Sequence, residues 1–200
     1  MVCTGIFSFS IKPRDIVIAA LCGAIHAILQ VISTFFTPIP GLSVFYPPAG
    51  FGAAIGIWFG FWGWLGAVLG TLFSAPYWGY SIPVALMFGI LTPWEVLIPA
   101  ILWRTARLDP ELKEKRSLLI FILAVAIVGT FLDALFGMFI SIGIGWYTPE
   151  FAFTIAIWPW WLADLVAAIV LGIILLRALS SYIKKIGLLY EGFFMRRVSK

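Results

Sequence analysis

From Ala49 to Trp103 the chain carries a single charged residue, Glu95, and two further apolar runs follow, Leu118 to Ile144 and Phe151 to Leu176. At a rise of about 1.5 Å per residue, runs of this kind match the roughly 30 Å hydrocarbon core of a bilayer. Hydrocarbon offers no hydrogen-bond partner to an open backbone, so such segments fold as helices. The whole composition agrees: 62% of the 200 residues are hydrophobic and 11% charged, with a mean hydropathy of +1.08. A soluble domain carries about 25% charged residues and has no core large enough to hide so much apolar surface. The expected class is an all-α integral membrane protein, and a cytosolic enzyme is excluded.

The first apolar run, Ile16 to Phe36, follows Lys12 and Arg14 as a signal segment would, but it is long enough to span and is read as an uncleaved helix. Thr37 to Pro48 is a loop broken by Pro38, Pro40, Gly41, Pro47 and Pro48. Weak breaks fall at Trp62-Gly63-Trp64, at Ser74 to Pro83 and at Thr92-Pro93. The 13 Lys and Arg residues occupy three clusters: the N-terminus, Arg104 to Arg116, and Arg177 onward. By the positive-inside rule all three face the cytoplasm, which requires an even number of crossings between Arg14 and Arg104. The reading is a single membrane domain over 1–200 with six helices at about 15–36, 48–61, 63–75, 81–104, 117–145 and 152–178, both termini inside. A basic tail, 179–200, either lies on the cytoplasmic surface through Lys184, Lys185, Arg196 and Arg197 or frays. A rival count merges Ala49 to Phe73 into one helix, gives five spans and strands one basic cluster outside.

Cys3, Cys22 and the lone His26 build neither a disulfide framework nor a histidine-rich metal site. No phosphate loop, nucleophile pair or zinc-protease helix motif is present, so no enzymatic activity and no cofactor are expected. The net charge of +4 reports orientation rather than a nucleic-acid partner.

Small residues at four-residue spacing mark close helix approach. In the first helix these are Ala20 with Ala24, Ala19 with Gly23, and Gly23 with Ala27; after Pro48 they are Gly52, Gly56 and Gly60, then Gly63, Gly66 and Gly70. Internal packing is the plain reading of the glycine run, while the first-helix face suits a partner subunit. Three acids, Glu95, Asp133 and Asp164, fall near mid-depth, and each opposes insertion by roughly 2.5 to 3.5 kcal/mol. Since no intramembrane Lys or Arg exists to pair with them, the acids are protonated, hydrogen-bonded, or set around a wet cavity. Asp133 shares a stripe with Gly129, Gly137 and Ser141. Asp164 follows Trp160 and Trp161 by one turn. Glu95 lies between Pro93 and Pro99, so the helix is expected to open there, and broken backbone at membrane depth points to a binding site. Trp62, Trp64, Trp78, Trp103, Trp146 and Trp158 are expected at the membrane interfaces; Trp94, Trp160 and Trp161 lie deeper, where they would line a pocket. Phe45, Tyr46, Trp78, Tyr80, Trp146 and Tyr147 would form an aromatic lid.

With its six expected spans, the alanine-spaced first helix (Ala20, Ala24, Ala27), the proline-rich loop Pro38 to Pro48 and the run Gly52-x-x-x-Gly56-x-x-x-Gly60, the chain resembles the substrate-binding, or S, component of an energy-coupling factor vitamin transporter. The resemblance implies high-affinity capture of a vitamin-like small molecule at the plasma membrane. It also implies docking through Ala20, Ala24 and Ala27 onto a transmembrane coupling subunit served by two ATPase subunits. Glu95, Asp133 and Asp164 with Trp94 and Trp161 would border the pocket, under a lid at Phe45 and Tyr46. Acids without bases, beside aromatic walls, suit a neutral or cationic ring such as an amine-bearing heterocycle. The alternative is a membrane sensor or assembly factor whose acids only hold helices together.

Overall fold

The structure is a computed structural model that describes residues 11–38 and 42–190. Pro40, Gly41, Arg196 and Arg197 therefore lie outside the described residues. Among those described, the chain is helical throughout and forms no β-sheet.

Helix α1 (Pro13–Thr34) starts where its sequence signals a start. Pro13 occupies its first turn, and the Lys12 N–H donates to Asp15 Oδ2 at 2.9 Å. Such a cap satisfies a backbone donor that the first turn leaves open. Helix α2 (Pro47–Phe59) begins on the proline pair. It ends at Gly60, where φ +61° and ψ −126° demand a residue without Cβ. The chain turns there into α3 (Phe61–Trp78), which ends on left-handed Gly79. The break thus falls at Gly60, a few residues before the expected Trp62-Gly63.

The next span is two half-helices, α4 (Ile82–Leu91) and α5 (Trp94–Thr105). The interruption sits at Thr92-Pro93 instead of at Glu95, and α5 runs through Pro99 without stopping. Pro93 carries no N–H to bond back to Gly89, whereas Pro99 is tolerated because the neighbouring helices hold α5 in place. Two long helices complete the chain, α6 (Lys115–Gly143) and α7 (Pro149–Lys185). Over Phe121–Gly129 in α6, and over Ala152–Ala156 and Ala168–Gly172 in α7, the winding loosens to π-helix. The apolar runs gave no sign of this change of pitch. Helix α7 also extends past the expected 178, and Ile186–Tyr190 folds back beneath it instead of trailing away.

Glycine lets these helices touch. A Cβ on Gly66 would stand 2.6 Å from Cys22 Cβ and one on Gly70 2.7 Å from His26 Cβ, which fixes α3 against the Ala19–Gly23 face of α1. A Cβ on Gly56 would stand 2.3 Å from the Val96 carbonyl oxygen, and one on Gly50 2.4 Å from that of Ala167. Helix α2 is consequently the centre of the bundle, with Ala53, Ala54 and Ile55 fully buried.

Loops and termini sort to two poles. At one, Arg104 reaches the α2 carbonyls of Gly56 (3.1 Å) and Ile57 (3.1 Å) and the α5 carbonyl of Ala100 (2.8 Å). Trp58 Nε1 donates to Ser180 Oγ (2.8 Å), Ser180 Oγ donates to the Pro110 carbonyl (2.8 Å), and the Tyr190 hydroxyl donates to Asp15. The described Lys and Arg residues of all three clusters belong to this pole. Trp62 and Trp103, expected at an interface, are packed inside it at 4% and 5% exposure, because the pole carries a core of its own. At the opposite pole Tyr80 lies 5.2 Å from Trp146, and Val44 N–H bonds the Phe36 carbonyl at 2.9 Å.

Between the poles the outer faces are greasy. Ile28, Phe73, Leu119, Ile155 and Ile174 are each more than half exposed. A water-soluble monomer does not present such a surface. Four stretches, Pro13–Thr34, Ile82–Thr105, Lys115–Gly143 and Pro149–Lys185, are long and apolar enough to cross a membrane.

Candidate functional site

Beneath the pole that lacks basic residues lies a small cavity of about 40 Å³, open at its mouth. Gln30 of α1, Thr71 and Trp78 of α3, Phe88 of α4, Thr92 at the α4–α5 break, Asp133 of α6, and Trp160 and Asp164 of α7 line it, with Ser43, Tyr46 and Tyr80 from the loops.

Small residues place the acids. Asp133 sits one turn beyond Gly129 and one turn before Gly137 on α6. A Cβ on Gly129 would press to 3.2 Å from Glu95 Cα, and one on Gly137 to 2.9 Å from the Trp160 ring. Helix α6 therefore lies directly on both the start of α5 and the middle of α7, which carries Asp133 to Asp164. Asp133 has Asp164, Thr92 and Trp160 as its polar neighbours, and Glu95 lies within electrostatic reach. The three carboxyl-bearing residues are 3%, 3% and 1% exposed for Glu95, Asp133 and Asp164. Neither oxygen of Asp164, nor Oδ1 of Asp133, nor Oε2 of Glu95 has a hydrogen-bond partner. Buried polar atoms are nearly always bonded, and these open acceptors stand out beside the cavity.

Glu95 differs from the two aspartates. It occupies the second position of the half-helix α5, at the positive end of that helix's dipole, which favours an acidic side chain. A Cβ on Gly52 would lie 3.1 Å from Glu95 Oε1, so the α2 backbone shuts this carboxyl in from behind. It stands behind the cavity wall while Asp133 and Asp164 form that wall.

An aromatic wall faces the acids. Tyr80 and Phe88 stack with centroids 4.9 Å apart at 11°, and Phe88 and Trp160 at 6.2 Å and 16°. Trp78 continues the stack above Tyr80 at 6.2 Å. The Trp78 indole N–H has no partner either. On the α1 side, Gln30 ties the cavity to the α1–α3 seam: its amide nitrogen donates to Thr71 Oγ1 (2.9 Å) and meets His26 Nδ1 (3.2 Å), and Ser74 Oγ donates to its oxygen (2.6 Å).

Of the residues singled out from the sequence, Asp133, Asp164 and Tyr46 line the cavity and Glu95 lies just behind it. Trp94 and Trp161 do not line it. Trp94 packs on Phe136, and Trp161 sets its ring edge-on to Phe131 and donates to the Ile127 carbonyl at 3.1 Å. The neighbouring Trp160 takes the lining position, because one residue along a helix turns a side chain by about 100°. Phe45 packs edge-on to Phe36 at the end of α1 instead of over the cavity. Ala20 and Ala24 are exposed on the outer face of α1 and Ala27 is half-buried, while Ala19 and Gly23 take the inner face. Gln30, Thr71 and Thr92 escaped sequence reading; the only signal was a polar residue inside an apolar run. Among the described residues no His, Cys, Asp and Glu cluster is arranged to hold a metal ion.

Comparison with protein-family models, with curated proteins and with solved structures finds no match.

Proposed function

We propose that this chain is the substrate-binding subunit of an ATP-driven importer of the energy-coupling factor kind, a multi-pass protein of the plasma membrane that captures a vitamin-like small molecule and catalyses no reaction. The observation that carries the reading is the cavity: buried, unpartnered carboxyl oxygens on α6 and α7 face stacked aromatic rings under the pole free of basic residues. Six crossings with both ends cytoplasmic follow if α2 and α3 each traverse the bilayer as short helices packed inside the bundle. Supporting this, the basic clusters share one pole and the cavity opens toward the other, as the positive-inside rule requires of an outward-facing receptor. Two expectations of docking also have support. Ala20 and Ala24 lie on an outer side of α1 that, among the described residues, no other helix covers, and small residues there let a coupling subunit approach closely.

The test is purification of the tagged chain from its native membrane. Copurification of a transmembrane coupling subunit and two ATPases is expected, and an Ala24→Leu variant is expected to lose them while keeping its fold, since Ala24 has no inward contact to disturb. Recovery of the chain alone under conditions that preserve membrane complexes would favour a sensor or assembly role.

A further inference from the structure

We infer that the cavity selects a small organic cation that carries N–H donors, an ammonium or amidinium on a flat ring, seated beside the Asp133–Asp164 pair and against the Tyr80–Phe88–Trp160 column. The inference deepens the importer reading by naming the ligand class.

Three features of the site set the chemistry. First, charge: the lining holds Asp133 and Asp164, with Glu95 behind them, and no Lys, Arg or His. The other titratable groups that face it are the phenols Tyr46 and Tyr80. Three carboxyls this close in a dry place do not all ionise without a counter-charge. A cation supplies that charge, whereas an anion would meet only like charge. Second, hydrogen bonding: Asp133 Oδ1 and both Asp164 oxygens make no full hydrogen bond, and although Trp160 and the two carboxyls stand close to one another, most of their acceptor capacity stays open. N–H groups satisfy them; a quaternary ammonium, which has none, leaves them open. An amidinium is favoured further, because its parallel N–H pair matches a carboxylate in two bonds. Third, shape: Tyr80, Phe88 and Trp160 stack on one another at 11° and 16°, an ordered apolar column beside the acids that suits a flat, rigid ligand. Glu95 is not part of the contact. Gly52 seals it from behind and α6 covers it at Gly129, so it sets the local charge without touching the ligand.

Calorimetry on the purified full chain in detergent tests this with three probes built on one phenyl ring: benzamidine, a planar cation with N–H groups; benzamide, its neutral isostere; and benzyltrimethylammonium, a bulkier cation without N–H groups. Benzamidine is expected to bind at least tenfold tighter than either of the others. Asp164→Asn is expected to weaken benzamidine at least tenfold while leaving benzamide within twofold, and Asp133→Asn to act in the same direction. A thermal unfolding midpoint unchanged in each variant shows that the loss is local. Benzamide or benzyltrimethylammonium binding as well as benzamidine would overturn the inference, as would benzamidine affinity indifferent to both substitutions or no binding of any probe. Those results leave the importer reading standing or falling on its own measurement, the copurification of coupling and ATPase subunits.

Discussion

Gly56 and Gly143 are the same residue type on helices of the same bundle and should respond oppositely to an added methyl group. At Gly56 the methyl would meet the Val96 carbonyl oxygen at 2.3 Å, and backbone cannot swing aside as the end of a side chain does. Gly56→Ala is expected to destabilise by about 1 to 3 kcal/mol or more through overpacking between α2 and α5. At Gly143 nothing lies within 4 Å. Gly143→Ala there should be neutral or stabilising by up to about 1 kcal/mol, through reduced freedom of the unfolded chain. Thermal unfolding of the two variants in one detergent reads the difference, and equal midpoints would contradict the close α2–α5 contact. Spacing alone marks Gly52, Gly56 and Gly60 as alike, yet Gly60 serves a turn while the other two serve contact, and only backbone geometry separates them.

Between elements, polar side chains decide how the helices lock. Gln30 is the hub of the α1–α3 seam, and its two amide ends reach Thr71, His26 and Ser74. Gln30→Leu preserves size but strips three partners of a bond, so a loss of about 1 to 3 kcal/mol is expected. Arg104 plays the matching part at the α2 terminus, where its guanidinium takes carbonyls from both Gly56 and Ile57. A lysine ammonium lacks that rigid fork, and Arg104→Lys is expected to cost about 1.5 to 3 kcal/mol. Chemical denaturation that found Arg104→Lys as stable as the parent would show that the buried guanidinium is not a structural clamp. The sequence counted Arg104 as the end of the helix at about 81–104 and as part of a basic cluster that reports orientation; its clamp on α2 is invisible until α2 is known to end beside it. The break before Glu95 was legible, because Pro93 removes a bond by chemistry alone. The choice of Trp160 over Trp161 was not, because adjacent residues differ by a rotation that depends on how α7 winds, and α7 loosens to π-helix on either side of that pair.

For the whole molecule, everything functional depends on which pole faces out. All the described basic residues share one pole, and the cavity mouth is under the other, so the assignment of sides fixes whether the site samples the exterior or the cytoplasm. Apolar runs and charge clusters made the poles readable from the sequence; they did not reveal a void, since a cavity arises from what Gly129 and Gly137 allow α6 to approach. Single cysteines placed at Lys113, Lys185 and Glu150, in a background with Cys3→Ser and Cys22→Ala, turn sidedness into a measurement with a membrane-impermeant maleimide on intact cells. Lys113 and Lys185 lie on the basic pole and Glu150 beside the opposite loops, all clear of the buried core. Glu150→Cys is expected to label from outside, and the two lysine positions only after the membrane is opened. Labelling of Lys113→Cys in intact cells would turn the cavity toward the cytoplasm, and a binding site facing that way fits an exporter or an internal sensor instead of a receptor for uptake.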